Sequence, residues 1–142
     1  MPRVRARALA IVIALATASM LFAPPAGASR AANANQLRAL TNAVHASKVG
    51  GLNKVPQSHY RVTGGLISTI SKNWAMARLV ARPAFRSSFQ NAIVVAVRPG
   101  GTNQWVVVDL GTADVGCGIA PNTVLADLFK TKQPCPSGNG IS

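Results

Sequence analysis

The sequence predicts a small α+β domain: an N-terminal helix, an antiparallel meander of three or four strands, and a C-terminal helix clipped by one disulfide. Three observations predict it. An apolar stripe at helical spacing runs through Leu37, Leu40 and Val44. Two β-branched runs flank Pro99-Gly100-Gly101-Thr102, and two cysteines bracket a second short apolar stripe. At 142 residues the length suits one domain.

Residues 1–28 have the three parts of a secretory signal peptide. Arg3, Arg5 and Arg7 form a positive head, residues 8–23 are uncharged and apolar, and Ala26-Gly27-Ala28 supplies small residues before a cleavage expected after Ala28. A spanning helix needs about 20 apolar residues, more than this run offers. The membrane is therefore expected to matter only until the signal is cut. No cysteine lies near the cut to carry a lipid, and Arg3 and Arg5 are not adjacent, so twin-arginine export is not indicated.

Residues 33–48 read as the first helix. Asn33 or Asn35 can cap its start, and Gly50-Gly51 can end it in a left-handed conformation. A loop marked by glycines and Pro56 covers 50–59. A strand is expected over 60–70, with a bulge or sharp bend at Gly64-Gly65. In the next, 74–81, alternation places Trp74, Met76, Arg78 and Val80 on one face and Ala75, Ala77, Leu79 and Ala81 on the other. Arg78, Arg82 and Arg86 also share a helical spacing, but Pro83 would break a helix over 74–86. The hairpin of 91–98 and 104–110 is apolar on both faces in its middle, so it should be central and covered. A Gly-rich loop follows. Pro121 then stands where a helix can begin, and Val124, Leu125, Leu128 and Phe129 form its stripe through about residue 130. Residues 29–135 form the domain, and the Gly/Ser-rich 136–142 read as a flexible tail.

Cys117 and Cys135, eighteen positions apart, allow one pairing within a monomer. In an oxidising compartment that reads as a disulfide contributing about 3 kcal/mol by restricting the unfolded chain. A redox or metal site would need closer spacing or neighbouring histidines.

Charge narrows the chemistry. The chain carries 15 Lys plus Arg against three acids, all aspartates: Asp109, Asp114 and Asp127. Removing residues 1–28 leaves a formal +9, and residues 29–108 hold ten basic groups with no acid. Two separated histidines, His45 and His59, and no G-x-S-x-G elbow argue against a serine triad. Paired-carboxylate hydrolysis would fall to Asp109 and Asp114. Asp109, expected on the face of Trp105 and Val107, reads better as a cap on the turn after it, and Asp127 as a solvent-facing helix residue. The loop 111–118 has neither the P-loop nor the G-x-G-x-x-G pattern, and no ligand cluster suits a metal. No cofactor is expected. The positive signal is basic residues interleaved with rings, at Tyr60–Arg61, Trp74–Arg78 and Phe85–Arg86–Phe89. Arg61, Lys72, Arg78, Arg82, Arg86 and Arg98 form the candidate surface for a polyanion.

The segments ISTISKNWAMARLV, QWVVVDLGTADVGCG and PNTVLADL resemble a group of small exported actinobacterial proteins. In these, a strand pair with W-x-V-x-D-x-G-T leads through V-x-C to a P-x-x-V-x-x-D-L helix and a second cysteine. The likeness spans roughly residues 60–135. It rests on Trp74, Trp105, Asp109, Gly111, Thr112, Cys117, Pro121, Val124, Asp127, Leu128 and Cys135. It implies export, the disulfide and a compact fold, transfers no catalytic residue, and leaves the first helix outside. The group carries no assigned activity.

The expectation is a small secreted, cationic, non-enzymatic binding module of the cell envelope or extracellular space. It would meet an anionic envelope polymer or an acidic protein, without specific nucleic-acid recognition. The alternatives are a minimal hydrolase around Asp109 and Trp105, and an inhibitor or structural envelope protein working through the loop 83–90.

Overall fold

A computed structural model describes residues 28–136. The expected signal peptide, but for Ala28, and all but the first residue of the expected tail lie outside the described residues. Among the described residues no helix is long and apolar enough to cross a membrane.

The first helix, α1 (Ala34–Ala46), opens with a capping box. The Asn33 side chain accepts from the Gln36 amide at 2.9 Å, and the Gln36 side chain accepts from the Asn33 amide at 3.1 Å. Two orphan donors of the first turn are thereby satisfied. The helix ends at Ser47 in extended conformation, and Gly50 and Gly51 take their positive φ within the following turn, Val49–Lys54.

Five antiparallel strands lie in sequence order: β1 (Arg30–Ala31), β2 (Tyr60–Ile67), β3 (Trp74–Ala81), β4 (Ala92–Val97) and β5 (Val106–Gly111). The β4–β5 hairpin therefore lies at one edge of the sheet rather than at its centre as expected, because β5 pairs with β4 alone, and Val106 is exposed. The count exceeds the three or four expected because β1, two residues long, pairs Arg30 with Ile67 and Ala31 with Leu66. A two-residue strand has no periodicity to read. Residues 74–81 are a strand throughout, and the chain breaks at Pro83 into a single turn.

Each helix covers one face of the sheet. Leu40 and Val44 of α1 pack on Ala75, Leu79, Val94, Ala96 and Val107. The second helix, α2 (Asn122–Phe129), sets Val124, Leu125 and Leu128 against Met76 and Val95. Each such side chain, taken fully from water, contributes roughly 1.5–3 kcal/mol. The Cys117–Cys135 disulfide joins the segments before and after α2, and Cys135 is buried beside Val95, Val115 and Leu125.

Two bulges break the alternation, and both decide where side chains point. In β2, Thr63 opposes Arg78 while Leu66 opposes Met76, so Gly64 and Gly65 together face Ala77. Gly64 has φ 60°, and a Cβ on Gly65 would stand 3.1 Å from Ala32 and from Leu37. In β5, Val107 opposes Ala96 while Asp109 opposes Val95, leaving Val108 as the extra residue.

That second bulge corrects the placement of Asp109. Trp105 and Val107 face α1, whereas Asp109 shares the face of Val95, under α2. The expected exposure of Asp127 is also corrected. It is 3% exposed, because position 127 borders the buried stripe one turn after Val124. Its carboxylate accepts from the Ser68 hydroxyl at 2.7 Å and the Thr69 amide at 2.8 Å.

Candidate polyanion-binding face

Helix α2 covers only part of its side of the sheet. Val80, on β3, is half-buried there and lies beyond the apolar contacts that α2 makes. Arginines surround it. Arg61 is its cross-strand partner on β2, and Arg78 lies two residues before it on the same face. Arg82, two residues after it, continues the extended backbone with φ −67° and ψ 150°. Arg86, in the turn beyond Pro83, lines a hollow of about 260 Å³ together with Val80, Phe89 and Asn91. All four arginines are exposed.

The bulge at Gly64-Gly65 produces this grouping. Continuing the register of Leu66 and Ile67 without the extra residue would place Arg61 opposite Ala81, on the α1 face. One inserted residue turns Arg61 outward and turns Tyr60 and Val62 inward, where they pack in the core.

The hollow beside Arg86 continues into a second of about 300 Å³, which shares Val80 and Asn91 and adds Arg78, Ile93 and Thr112. Together they make an open trough with a β-branched floor, amide and hydroxyl groups at its side, and guanidinium groups at its margin. Arg78 and Arg82 are four residues apart on extended chain, a span of about 13 Å. Such spacing suits successive anions along a polymer better than one small ion. Guanidinium forks pair bidentately with carboxylate, sulfate or phosphate, and at exposed positions these pairs are screened by salt.

The six basic residues expected to share a surface fall into two groups. Lys72 and Arg98 lie at the other end of the sheet, with Trp74 and Val80 about 20 Å apart along β3. Arg98 is half-buried; its Nη2 donates to the Lys72 carbonyl at 2.9 Å, and its guanidinium carbon sits 4.8 Å over the Trp105 ring. Its role there is to hold the β2–β3 turn against β4.

The rings read as platforms turn inward instead. Phe89 stacks on the buried Tyr60 at 5.4 Å, and Phe85 stacks on His59 at 3.8 Å. His45 meets the edge of Tyr60. The Phe85 and Phe89 stacks pin the loop 83–90 to the body of the domain. Burial raises the Tyr60 hydroxyl above its ordinary pKa.

Asp109 and Trp105 are not brought together. Asp109 accepts from its neighbour Leu110 at 2.8 Å through Oδ1 and from the Gly116 amide at 2.6 Å through Oδ2. It closes the turn that leads to Cys117. Among the described residues no group of three His, Cys, Asp or Glu could hold a metal ion. What the sequence left unseen was the convergence on Val80, whose only local signal was the Gly-Gly pair in β2.

No protein-family model, curated protein or solved structure matches the chain.

Proposed function

We propose that this protein is a small secreted, non-enzymatic binding module whose arginine face meets an anionic polymer of the cell envelope or extracellular space. The observation that carries the reading is the gathering of Arg61, Arg78 and Arg82 beside Val80 by strand register, with Arg78 and Arg86 lining the open trough next to it. Four like charges gathered on one exposed face raise the local potential, and a polyanion gains by releasing its counterions to them.

Two further features support it. Asp109 and Asp127 are occupied as acceptors for backbone amides and hydroxyls, in structural roles. The disulfide suits an oxidising compartment outside the cytoplasm, where the signal-like residues 1–28 would deliver the chain.

The test is retention of residues 29–142 on immobilised heparin at low and at physiological salt. Binding at low salt that falls steeply with added salt supports the reading. No retention at low salt overturns it.

A further inference from the structure

On the opposite side of the sheet, a cavity of about 330 Å³ opens between α1 and the segment entering β5. Its wall on α1 includes Ala43 and Ala46, whose small side chains leave the volume free, and Trp105 forms the facing wall. Three amide side chains stand around it: Asn42 from α1, and Asn103 and Gln104 from the chain entering β5. All three residues are exposed. In a chain with 15 basic residues, every residue lining this cavity is uncharged.

We propose that this cavity is a binding site for one neutral sugar unit of a glycan. Each amide presents two donors and two acceptor lone pairs, which matches hydroxyl groups that both donate and accept. Trp105, only 8% exposed, supplies an apolar wall suited to the C–H face of a pyranose. Its volume lies at the lower end of small-ligand sites, the size of a mono- or disaccharide rather than a folded partner. No lining residue offers an anion a charge, and Arg98, 4.8 Å over the Trp105 ring, is engaged there and by the Lys72 carbonyl. An apolar side chain would meet a polar rim. Position separates this site from the arginine face: α1 covers one side of the sheet and Val80 lies on the other. The proposal stands independently of polyanion binding.

The experiment is a nitrogen-15 NMR titration of residues 29–142 with three soluble probes: tetra-N-acetylchitotetraose, cellohexaose and mannotriose. The expected result is a saturable shift of the Asn42, Asn103 and Gln104 side-chain NH2 signals and the Trp105 indole signal with at least one probe, unchanged by added salt. Ala46→Phe fills the cavity from an exposed helical position, and should weaken that binding by roughly tenfold or more while the backbone spectrum remains that of the folded domain. Gln104→Ala, on an exposed side chain, should weaken it by a smaller factor and serves as the second variant if Ala46→Phe does not fold. The proposal is overturned by no saturable shift with any probe at tens of millimolar. Shifts confined to the arginine face, or binding that both variants leave intact, overturn it as well. Loss of heparin retention with these shifts intact would remove only the polyanion reading.

Discussion

The Ser68 hydroxyl donates to the Asp127 carboxylate across 2.7 Å, joining residues 59 positions apart. Ser68 is fully buried, and it also accepts from the Ser71 amide at 3.1 Å, so the β2–β3 turn and α2 share one polar network. Removing the carboxylate strands the Ser68 hydroxyl and the Thr69 amide. Asp127→Ala is expected to cost about 2–4 kcal/mol, and Asp127→Asn, which keeps one acceptor oxygen, distinctly less. Urea midpoints at constant slope measure both. A double-mutant cycle with Ser68→Ala should show coupling, whereas additive losses would deny the pair.

The disulfide holds the segments flanking α2 on the sheet. The Cys117→Ala, Cys135→Ala double variant should lose about 3 kcal/mol and melt on the order of 10 °C lower than the oxidised protein. Calorimetry with and without reductant checks this: reductant should lower the midpoint of the parent alone.

The division of the basic residues gives opposite expectations for two sets of variants. Replacing Arg61, Arg78, Arg82 and Arg86 by Gln should lower the logarithmic salt slope of polyanion binding by roughly 0.7 for each anion-pairing arginine removed. These exposed positions should change stability little. Arg98→Gln should do the reverse. It removes the cation from above Trp105 and weakens the bond to the Lys72 carbonyl, costing roughly 1 kcal/mol while leaving heparin retention intact. Equal effects of the two sets on binding would count against the arginine face.

Tyr60 supplies a pH dependence. Its hydroxyl titrates above 10.0 in the fold because burial disfavours the phenolate, so the unfolded chain loses the proton first. Between those two values the folded state binds more protons, and stability falls as pH rises. Below pH 10.0 this contribution is constant. Chemical denaturation across that window should show a decline in the parent protein that is smaller in Tyr60→Phe.

The pairing of β4 with β5, a cap at one of two asparagines, the facing of β3 and the disulfide are legible in the sequence because each follows from a local pattern or from a count. The hairpin's place at the sheet edge is not, because strand order is not a local property. The alternation over 74–81 puts Met76 under α2 and Leu79 under α1, as the period of two requires. Asp109 departs from its expected face because Val106, Val107 and Val108 form a run with no alternation to break, so an extra residue leaves no trace. Asp127 departs from its expected exposure because its partners come from the distant β2–β3 turn. The gathering around Val80 depends on register between strands, which no single segment carries.

The Gly64-Gly65 bulge has a mutational consequence. Loss of a single codon there would leave composition almost untouched and net charge unchanged, yet it would exchange the two sides of the first half of β2. Tyr60 and Val62 would face water, and the Arg61 guanidinium would press into the space they vacate. For this protein the parity of one strand, rather than the number of arginines, separates a cationic surface from a misfolded core.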